Sequence, residues 1–315
     1  MRKDLLIYCH APVEAADLTK EGKRDAQRFG VWMRSQRLIP QQAIAASTVA
    51  AKTAAEKACK SAGQNQAIVQ FRPELNKQDS QAGLDCIRSF RDDVSCGLVS
   101  VKTTVGRALC GQLCCDDLDA TFKADISPGV MIHLQHDDHW RDVKSGTMQA
   151  IRTIAPATLP RLFPYPDVDG DQRRPRPAYY YRQSGVIPYR YHQGKLEVLV
   201  ISTSKQKRWG VPKGIHDPGK TAQASAANEA LEEAGVLGDV IDQELGRYQH
   251  QKWDAECTVT IYPMHVTEQL DESQWQESHR KRQWLSPQAA SDRVHHPDLK
   301  QMIQLLPTQV SERIN

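Results

Sequence analysis

Apolar and polar positions alternate in two recurring patterns along the first part of the chain. Four short apolar runs are typical of buried strands: LLIYCHA, QAIAAST, IVQFRPEL and GLVSVK. Three other stretches carry apolar residues at helical spacing: TKEGKRDAQRFGVWMRSQRL, VAAKTAAEKACKSAG and TVGRALCGQLCC. Thr19 is a candidate start for the first helix, and Gly63 stops the second. This alternation predicts an α/β domain with a largely parallel sheet over residues 1–150.

The pattern after residue 179 is different. SGVIPYRY and KLEVLVIST are predicted to be a strand pair joined by the turn HQGK. ELGRYQHQ and ECTVTIYPMHVTE alternate as strands do, and HPDLKQMIQLLP has the pattern of a short amphipathic helix. Residues 179–315 are therefore expected to form a second domain of the α+β class.

The stretch between the two halves is rich in proline and arginine. Residues 155–178 read APATLPRLFPYPDVDGDQRRPRPA, which lacks the periodicity of a packed element. We therefore predict a linker over residues 151–178. A length of 315 residues fits this division into two domains.

Composition narrows the class of protein. The chain is 40% hydrophobic and 25% charged with a formal net charge of +3, which is ordinary for a globular protein and too small a charge to indicate nucleic-acid binding. No apolar run approaches the roughly 18 residues of a membrane span, and the N-terminus lacks a signal-peptide pattern. Eight cysteines without such a signal predict reduced thiols and a cytoplasmic location.

Two clusters of metal-binding residue types occur in the first half. Cys110, Cys114 and Cys115 do not have zinc-site spacing, so buried helix positions are favoured. His133 and His136, with His139 after them, recur every three residues in HLQHDDHW. A metal site is one interpretation of these histidines, and a polar loop is the favoured one.

One stretch of the second half carries the strongest chemical signal, WGVPKGIHDPGKTAQASAANEALEEAGV. Thr221 is a candidate N-cap, Gly235 a C-cap, and the residues between favour a helix. Glu229, Glu232 and Glu233 fall at i, i+3 and i+4, on one face of that helix. Alone, such a triplet is more typical of a solvated acidic face, but it also suits Mg²⁺, which prefers oxygen ligands.

This stretch resembles the Nudix box, G-x5-E-x7-R-E-U-x-E-E-x-G-U with U apolar. Its first glycine falls on Gly214 and its last segment on residues 228–236. The box's first glutamate is replaced by Lys220, and its arginine, which in the family orients a neighbouring glutamate, by Asn228. WGVPKG and WQESHRKRQWLSPQAA flank the box as in hydrolases of dinucleoside and diphosphoinositol polyphosphates.

The resemblance implies a Nudix fold and a metal-dependent pyrophosphohydrolase. Mg²⁺ or Mn²⁺ would be bound by the Gly214 carbonyl and by Glu229, Glu232 and Glu233, one of which would also act as the catalytic base. Nearby bases are candidates for binding substrate phosphates, although they also fit a solvated basic surface. These bases are Lys213, Arg208, Lys207, Arg280 and Arg282.

The expected substrate is a small polyphosphorylated molecule, with diadenosine tetraphosphate as the first choice. Diphosphoinositol polyphosphates, inorganic polyphosphate and nucleoside triphosphates are alternatives. A second class of function is a nucleotide-sensing binding module, which the departures at Lys220 and Asn228 favour. Neither a nucleic acid nor a membrane is expected as a partner, and homo-oligomer formation is left open.

The first half resembles the start of the histidine phosphatase superfamily, in particular its small SixA-like branch. Cys9, His10 and Ala11 stand where the family has Arg-His-Gly, followed by the LT-x-x-G start of a helix at Leu18. The nucleophile position is kept as His10, but the arginine beside it is missing. Lys52 and Lys102 stand near the places of the second arginine and second histidine. Since phosphoryl transfer depends on surrounding cations, the resemblance implies a non-catalytic domain with a vestigial His10.

Overall fold

A computed structural model describes residues 2–11, 13–114 and 120–311 of the chain. It has two compact units, of which the first ends at Pro177 and the second begins at Ala178. Within these ranges, no helix is long and apolar enough to cross a membrane.

The first unit is built on one six-stranded sheet in the order β5-β4-β6-β1-β7-β8. The strands of the whole unit, which include two separate pairs, β2 with β3 and β9 with β10, are β1 (Lys3–Cys9), β2 (Val13–Glu14), β3 (Asp17–Leu18), β4 (Gln42–Ala46), β5 (Val69–Arg72), β6 (Cys96–Val101), β7 (Met131–His136), β8 (Gln149–Ile154), β9 (Phe163–Tyr165) and β10 (Gln172–Arg174). Its helices are α1 (Lys20–Ser35), α2 (Val49–Ser61), α3 (Ser80–Arg88), α4 (Thr103–Leu113) and α5 (Ala120–Asp125).

The sheet is mixed, and its parallel part is the part that the sequence predicts. Strands β5, β4, β6 and β1 are parallel, whereas β7 and β8 are antiparallel to their neighbours. Thr19 caps α1 by accepting a hydrogen bond from the Gly22 amide at 3.0 Å. Helices α1 and α2 approach closely at Gly30, where a Cβ atom would collide with the Ala58 carbonyl. The α/β prediction is thus confirmed at this level.

The polar-loop prediction is wrong for the first two histidines of this stretch and holds for His139, which is exposed beyond the end of β7. His133 and His136 lie in β7, both buried, and the nearest partner of His133 is Asp4 of β1, 2.7 Å away. Pairing with the buried central strand β1 favours an extended conformation despite the polar residues. The predicted burial of cysteines holds for Cys110 and Cys114, whereas Cys115 lies outside the described residues.

The predicted linker is largely part of the first unit. Strand β8 completes the sheet, and β9 pairs with β10. Phe163 is 1% exposed, and Asp167 forms a 2.7 Å ion pair with Arg34 of α1. Proline is compatible with such edge strands and turns, so a proline-dense stretch can still pack once an aromatic residue anchors it.

The second unit is built on an eight-stranded mixed sheet. The main path is β13-β12-β11-β17-β15; β14 also pairs with β11, β16 with β17, and β18 with β12. The strands are β11 (Arg182–His192), β12 (Lys195–Ser202), β13 (Trp209–Gly210), β14 (Lys213–Ile215), β15 (Val236–Val240), β16 (Gly246–Lys252), β17 (Ala255–Gln269) and β18 (Arg282–Leu285). The helices are α6 (Ala222–Ala234), α7 (Pro287–Arg293) and α8 (Pro297–Ser311).

Two apolar cores hold this unit together. Successive residues of β12 belong to different cores: Val198 and Val200 pack with α7 and α8, and Leu199 and Ile201 pack with α6. This is the expected alternation of side chains in a strand that is buried on both faces. The C-terminal helix is longer than predicted because α8 continues through Pro307.

Candidate active site

Capping residues fix both ends of helix α6. Thr221 Oγ1 accepts a hydrogen bond from the Ala224 amide at 3.1 Å, and Gly235 ends the helix in a left-handed conformation with φ 61°. Buried alanines, including Ala226 and Ala230, face the sheet and bring the helix close to it. The opposite ends of α6 are thus fixed as the sequence predicts, and its carboxylates are carried on a rigid element.

Gly214 of β14 lies directly against the carboxylate of Glu229. A Cβ atom at this position would overlap the Glu229 carboxylate, which leaves no room for any other residue. Gly214 is opposite Ser184 of the central strand β11, so the sheet fixes its position. The structure therefore brings together the two ends of the predicted metal site, the glycine and the first glutamate.

Glu233 is held by two donors from outside its own helix. One carboxylate oxygen accepts from the Lys213 amide at 2.9 Å, and the other accepts from Arg280 Nη2 at 2.6 Å. The side chains of Glu233 and Arg280 are each 12% exposed. Arg280 also donates to Glu277 at 2.5 Å and to the Ser202 carbonyl at 3.2 Å. All three guanidinium nitrogens of Arg280 therefore donate to protein groups, and one of these bonds orients the Glu233 carboxylate.

The carboxylates repel one another in a partly buried setting. Burial, followed by repulsion from Glu233 and Glu232, raises the pKa of Glu229 to about 8. Burial also raises the pKa of Glu233, although Lys213 and Arg280 act in the opposite sense. Glu232 is exposed, so only this residue fits the solvated acidic face. A divalent cation between Glu229 and Glu233 would relieve the repulsion.

The donor chemistry of this pair fits Mg²⁺, which prefers carboxylate and carbonyl oxygens. Over the described ranges, no three His, Cys, Asp or Glu side chains converge on one metal position as they stand. Carboxylate oxygens accept more than one interaction each, so the bonds from Lys213 and Arg280 leave Glu233 able to bind a cation as well.

The two departures from the box pattern have different surroundings. Lys220 pairs with Asp217 at 3.6 Å, and its carbonyl lies 2.8 Å from His216 Nε2. It therefore stabilises the loop before α6. Asn228 is half-buried on α6 and provides no positive charge. The cation beside Glu233 comes instead from Arg280, which precedes β18.

A cleft of about 520 Å³ opens beside Glu233. The predicted bases Arg208 and Lys213 line it, together with Lys252 at the end of β16. Burial and the nearby Lys213 lower the pKa of Lys252. Lys252 was missed by sequence reasoning because only the β16–β17 hairpin brings it here, and no motif marks it.

Aromatic rings form another part of the cleft wall. Trp209, Tyr248, His250 and His296 line it, and the Tyr248 and His296 rings lie 4.3 Å apart between centroids. Burial and the neighbouring Lys213 and Lys252 lower the pKa of His250 to about 4, so its ring is neutral at pH 7. The cleft thus combines cations with flat aromatic ring faces.

Two of the bases predicted to bind substrate are elsewhere. Arg282 donates to the Ala234 carbonyl at 2.9 Å, the Gly235 carbonyl at 3.2 Å and the Leu270 carbonyl at 2.5 Å. It therefore caps the C-terminus of α6, where a cation is favourable. Lys207 is exposed and is not among the residues that line the cleft.

In the first unit, His10 follows the C-terminal end of β1 and is 6% exposed. Its Nδ1 lies 3.0 Å from the Ala11 carbonyl. Burial lowers its pKa, the Ala11 carbonyl opposes this, and Lys102 lowers it further. Lys52 lies over the Phe71 ring at 5.0 Å. The two lysines thus give His10 neither a guanidinium nor a second histidine.

Comparison with known proteins places the second unit in a family. The profile of the NUDIX domain matches residues 181–306. Nudix hydrolase 17, mitochondrial, of Arabidopsis thaliana is 36% identical over 146 residues, which cover 42% of this chain and 76% of the relative. Diphosphoinositol polyphosphate phosphohydrolase 2 of Rattus norvegicus is 36% identical over 98 residues, which cover 30% of this chain and 52% of the relative.

Solved structures resemble each half separately. The binary complex of the C. elegans Ap4A hydrolase matches 42% of this chain and 98% of its own, with 18% identity and a TM-score of 0.38. The histidine phosphatase SixA complexed with tungstate matches 50% of this chain and 98% of its own, with 16% identity and a TM-score of 0.39. Each likeness concerns the path of the chain and not its chemistry.

Proposed function

The chain belongs to the Nudix hydrolase family and is a pyrophosphohydrolase, and we propose that its substrate is a dinucleoside polyphosphate such as diadenosine tetraphosphate. The reaction is hydrolysis of a phosphoanhydride bond: water adds to one phosphorus, the bridging P–O bond breaks, and the leaving phosphate takes a proton. Mg²⁺ or Mn²⁺ is the proposed cofactor.

The observation that carries this proposal is the pair Glu229 and Glu233 beside Gly214. Two carboxylates one turn apart on a partly buried helix face are costly unless a cation or a proton balances them. The raised pKa of Glu229 reflects this imbalance. Both residues belong to the segment that matches the Nudix box; Glu229 lies against Gly214 of the sheet, and Glu233 is held by the Lys213 amide and by Arg280.

The chain's own residues bind and orient in this reaction. When bound, Mg²⁺ neutralises the diphosphate and lowers the pKa of the attacking water. Glu229 and Glu233, with the Gly214 carbonyl and Glu232, would hold the cation, while Lys213, Lys252 and Arg208 would bind phosphate oxygens. A glutamate of α6 accepts the proton of the attacking water.

The aromatic wall of the cleft supports a nucleoside in the substrate. Base–aromatic stacking contributes about 1–3 kcal/mol per base and tolerates any base. Trp209 and His296 are half-buried and offer such faces beside the cations of the same cleft, whereas Tyr248 is buried. A nucleoside bearing several phosphates uses both features, whereas inorganic polyphosphate uses only the cations.

A diphosphoinositol polyphosphate is the second candidate. The observation in its favour is the 36% identity to the rat enzyme whose name specifies that activity. Such a ligand presents many phosphates without a base, so it would contact the cations and leave the aromatic faces unused.

We further propose that the first unit is a histidine-phosphatase-like domain without catalytic activity. His10 stands at the nucleophile position, but Cys9 stands where the phosphatase family has the adjoining arginine, and Lys102 is a base whose charge acts on His10. A phosphohistidine mechanism needs cations that grip the transferred phosphoryl group. The unit would thus serve as an accessory to the hydrolase.

A substrate panel tests the proposal. Values of kcat/KM with Mg²⁺ are measured for diadenosine tetraphosphate, a diphosphoinositol polyphosphate, ADP-ribose and inorganic polyphosphate, with products separated by chromatography. The proposal expects kcat/KM for diadenosine tetraphosphate to exceed that for each other substrate by at least about tenfold, which corresponds to a free-energy difference of about 1.4 kcal/mol. Preference for the inositol compound would support the second candidate, and preference for ADP-ribose would contradict both.

A further inference from the structure

A second groove, of about 560 Å³, lies on the second unit beside the cleft. Four bases line it and a single carboxylate opposes them. Its lining residues are Trp209, Glu272, Trp275, Arg280, Lys281, Arg282, Gln283 and Arg293. Because the charge of Arg280 is balanced by Glu233 and Glu277, the other three bases give the groove its excess of positive charge, although the chain as a whole carries only +3.

Three of the four bases are held in place before any ligand binds. The Arg293 guanidinium lies 4.8 Å from the centroid of Trp209, and that of Arg282 lies 4.7 Å from the centroid of Trp275. Arg280 is held by Glu233 and Glu277. A ligand that meets ordered cations loses less side-chain entropy on binding than one that meets mobile cations.

Two cations of the groove keep free donors. In the described ranges, the side chains of Lys281 and Arg293 form no ion pair and both are exposed. Arg280 and Arg282, in contrast, direct their donors to protein carboxylates and carbonyls. The groove thus has two bases for direct contact and two whose donors are taken up by the protein.

The groove continues from the proposed reaction site. Trp209 and Arg280 line both the cleft and the groove, and Arg280 contacts Glu233 itself. A ligand with one anhydride bond at the α6 carboxylates can therefore extend past Trp209 into the groove.

We propose that the second groove binds the phosphates of the substrate that lie beyond the cleaved bond, with Lys281 and Arg293 as their direct ligands. The substrate class is then a linear polyphosphate chain longer than the diphosphate that is split. This inference rests on the proposed function of the cleft, and it assigns the length requirement to residues outside the Nudix box.

The first test compares a long and a short substrate. Lys281→Gln with Arg293→Gln removes both charges and keeps side-chain length, and Arg247→Ala removes an exposed base paired with Glu244 as the control. For diadenosine tetraphosphate, KM should rise about tenfold or more with kcat unchanged, since two direct contacts to phosphate are lost. For diadenosine diphosphate, KM should change less than about twofold.

The inference is overturned if KM rises equally for both substrates, which is a general effect of charge, or if it rises for neither. A second measurement is independent of turnover: calorimetric binding of inorganic tripolyphosphate to the metal-free protein. Weaker binding by the double variant than by wild type and Arg247→Ala supports the groove even if no hydrolysis is detected. Equal binding by all three proteins, alongside normal hydrolysis, removes the groove and leaves the proposed function intact.

Discussion

Arg280 donates from Nη2 to the carboxylate of Glu233 at 2.6 Å, although the two residues are 47 positions apart. Arg280 lies in the loop before β18, and Glu233 lies in the last turn of α6. Asn228, where the Nudix box has an arginine, brings no positive charge. The charge that orients a box glutamate is therefore supplied here from a different element.

Replacement of Arg280 by alanine should lower kcat by about 10–100-fold, because Glu233 loses its orientation at the metal site. Arg280→Lys should retain part of the rate, since it keeps the charge and loses the fork geometry. Adding Asn228→Arg to Arg280→Ala should restore activity in part. Steady-state kinetics against Arg247→Ala would check this. A change in KM alone, with kcat preserved, would instead assign Arg280 to substrate binding.

Gly214→Ala should abolish most activity, because the new methyl group would occupy the position of the Glu229 carboxylate. We expect metal affinity and kcat to fall by at least about tenfold, since displacements near 1 Å at a catalytic group are already costly. Gly111→Ala is the matched control, because a Cβ atom there meets nothing within 4 Å. Mn²⁺ titration of both variants separates a lost site from a lost fold; normal Mn²⁺ binding by Gly214→Ala would refute the account.

The metal-free protein should become less stable as the pH rises from about 4.5 to about 8. Burial raises the pKa of Glu229 from 4.5 to about 8, so the folded state binds more protons than the unfolded state in this range. Glu229→Gln removes this penalty. In EDTA at pH 8 the variant should be more stable than wild type by roughly 1–3 kcal/mol, and near pH 4 the difference should vanish.

Urea unfolding at several pH values measures this difference. Mg²⁺ should raise the stability of wild type and should have little effect on Glu229→Gln, because binding to the folded state alone is stabilising. If the free energy of unfolding of the two proteins varies with pH in parallel, the pKa of Glu229 is not raised by its surroundings and the account is contradicted.

His10→Ala should leave hydrolysis of polyphosphorylated substrates unchanged. Wild type should release no phosphate from phosphohistidine peptides, since Cys9 stands beside His10 where the phosphatase family has an arginine. Phosphorus NMR at neutral pH checks phosphate release by both proteins. Phosphate release that disappears in the His10 variant would show a working phosphatase and overturn the accessory role.

Local signals predicted local structure well. Thr221 and Gly235 fixed the ends of α6 because capping depends on residues within one turn. The contact of Gly214 with Glu229 followed from the family pattern. The partners of His133 and Glu233 could not be predicted in this way, because Asp4 and Arg280 are 129 and 47 positions away and meet them only in the folded sheet.

Long-range packing also explains the misplaced bases. The segment HRKRQW suggested phosphate ligands. In the structure, however, Arg282 donates to the last carbonyls of α6, and Arg280 is largely buried in its ion pair with Glu233. Lys252 enters the cleft because a hairpin folds back along β17. Such placements depend on strand register, which a single sequence specifies only through its tertiary partners.

The central claim is that the α6 glutamates bind a catalytic metal ion. The direct measurement is Mg²⁺-dependent hydrolysis of diadenosine tetraphosphate by wild type and Glu233→Gln, with products resolved by chromatography and Mn²⁺ affinity measured on the same samples. Wild type should cleave the substrate only with the metal, and the variant should lose at least about 10²-fold in kcat together with metal affinity. Equal rates in the two proteins, or cleavage without a divalent metal, would contradict the account.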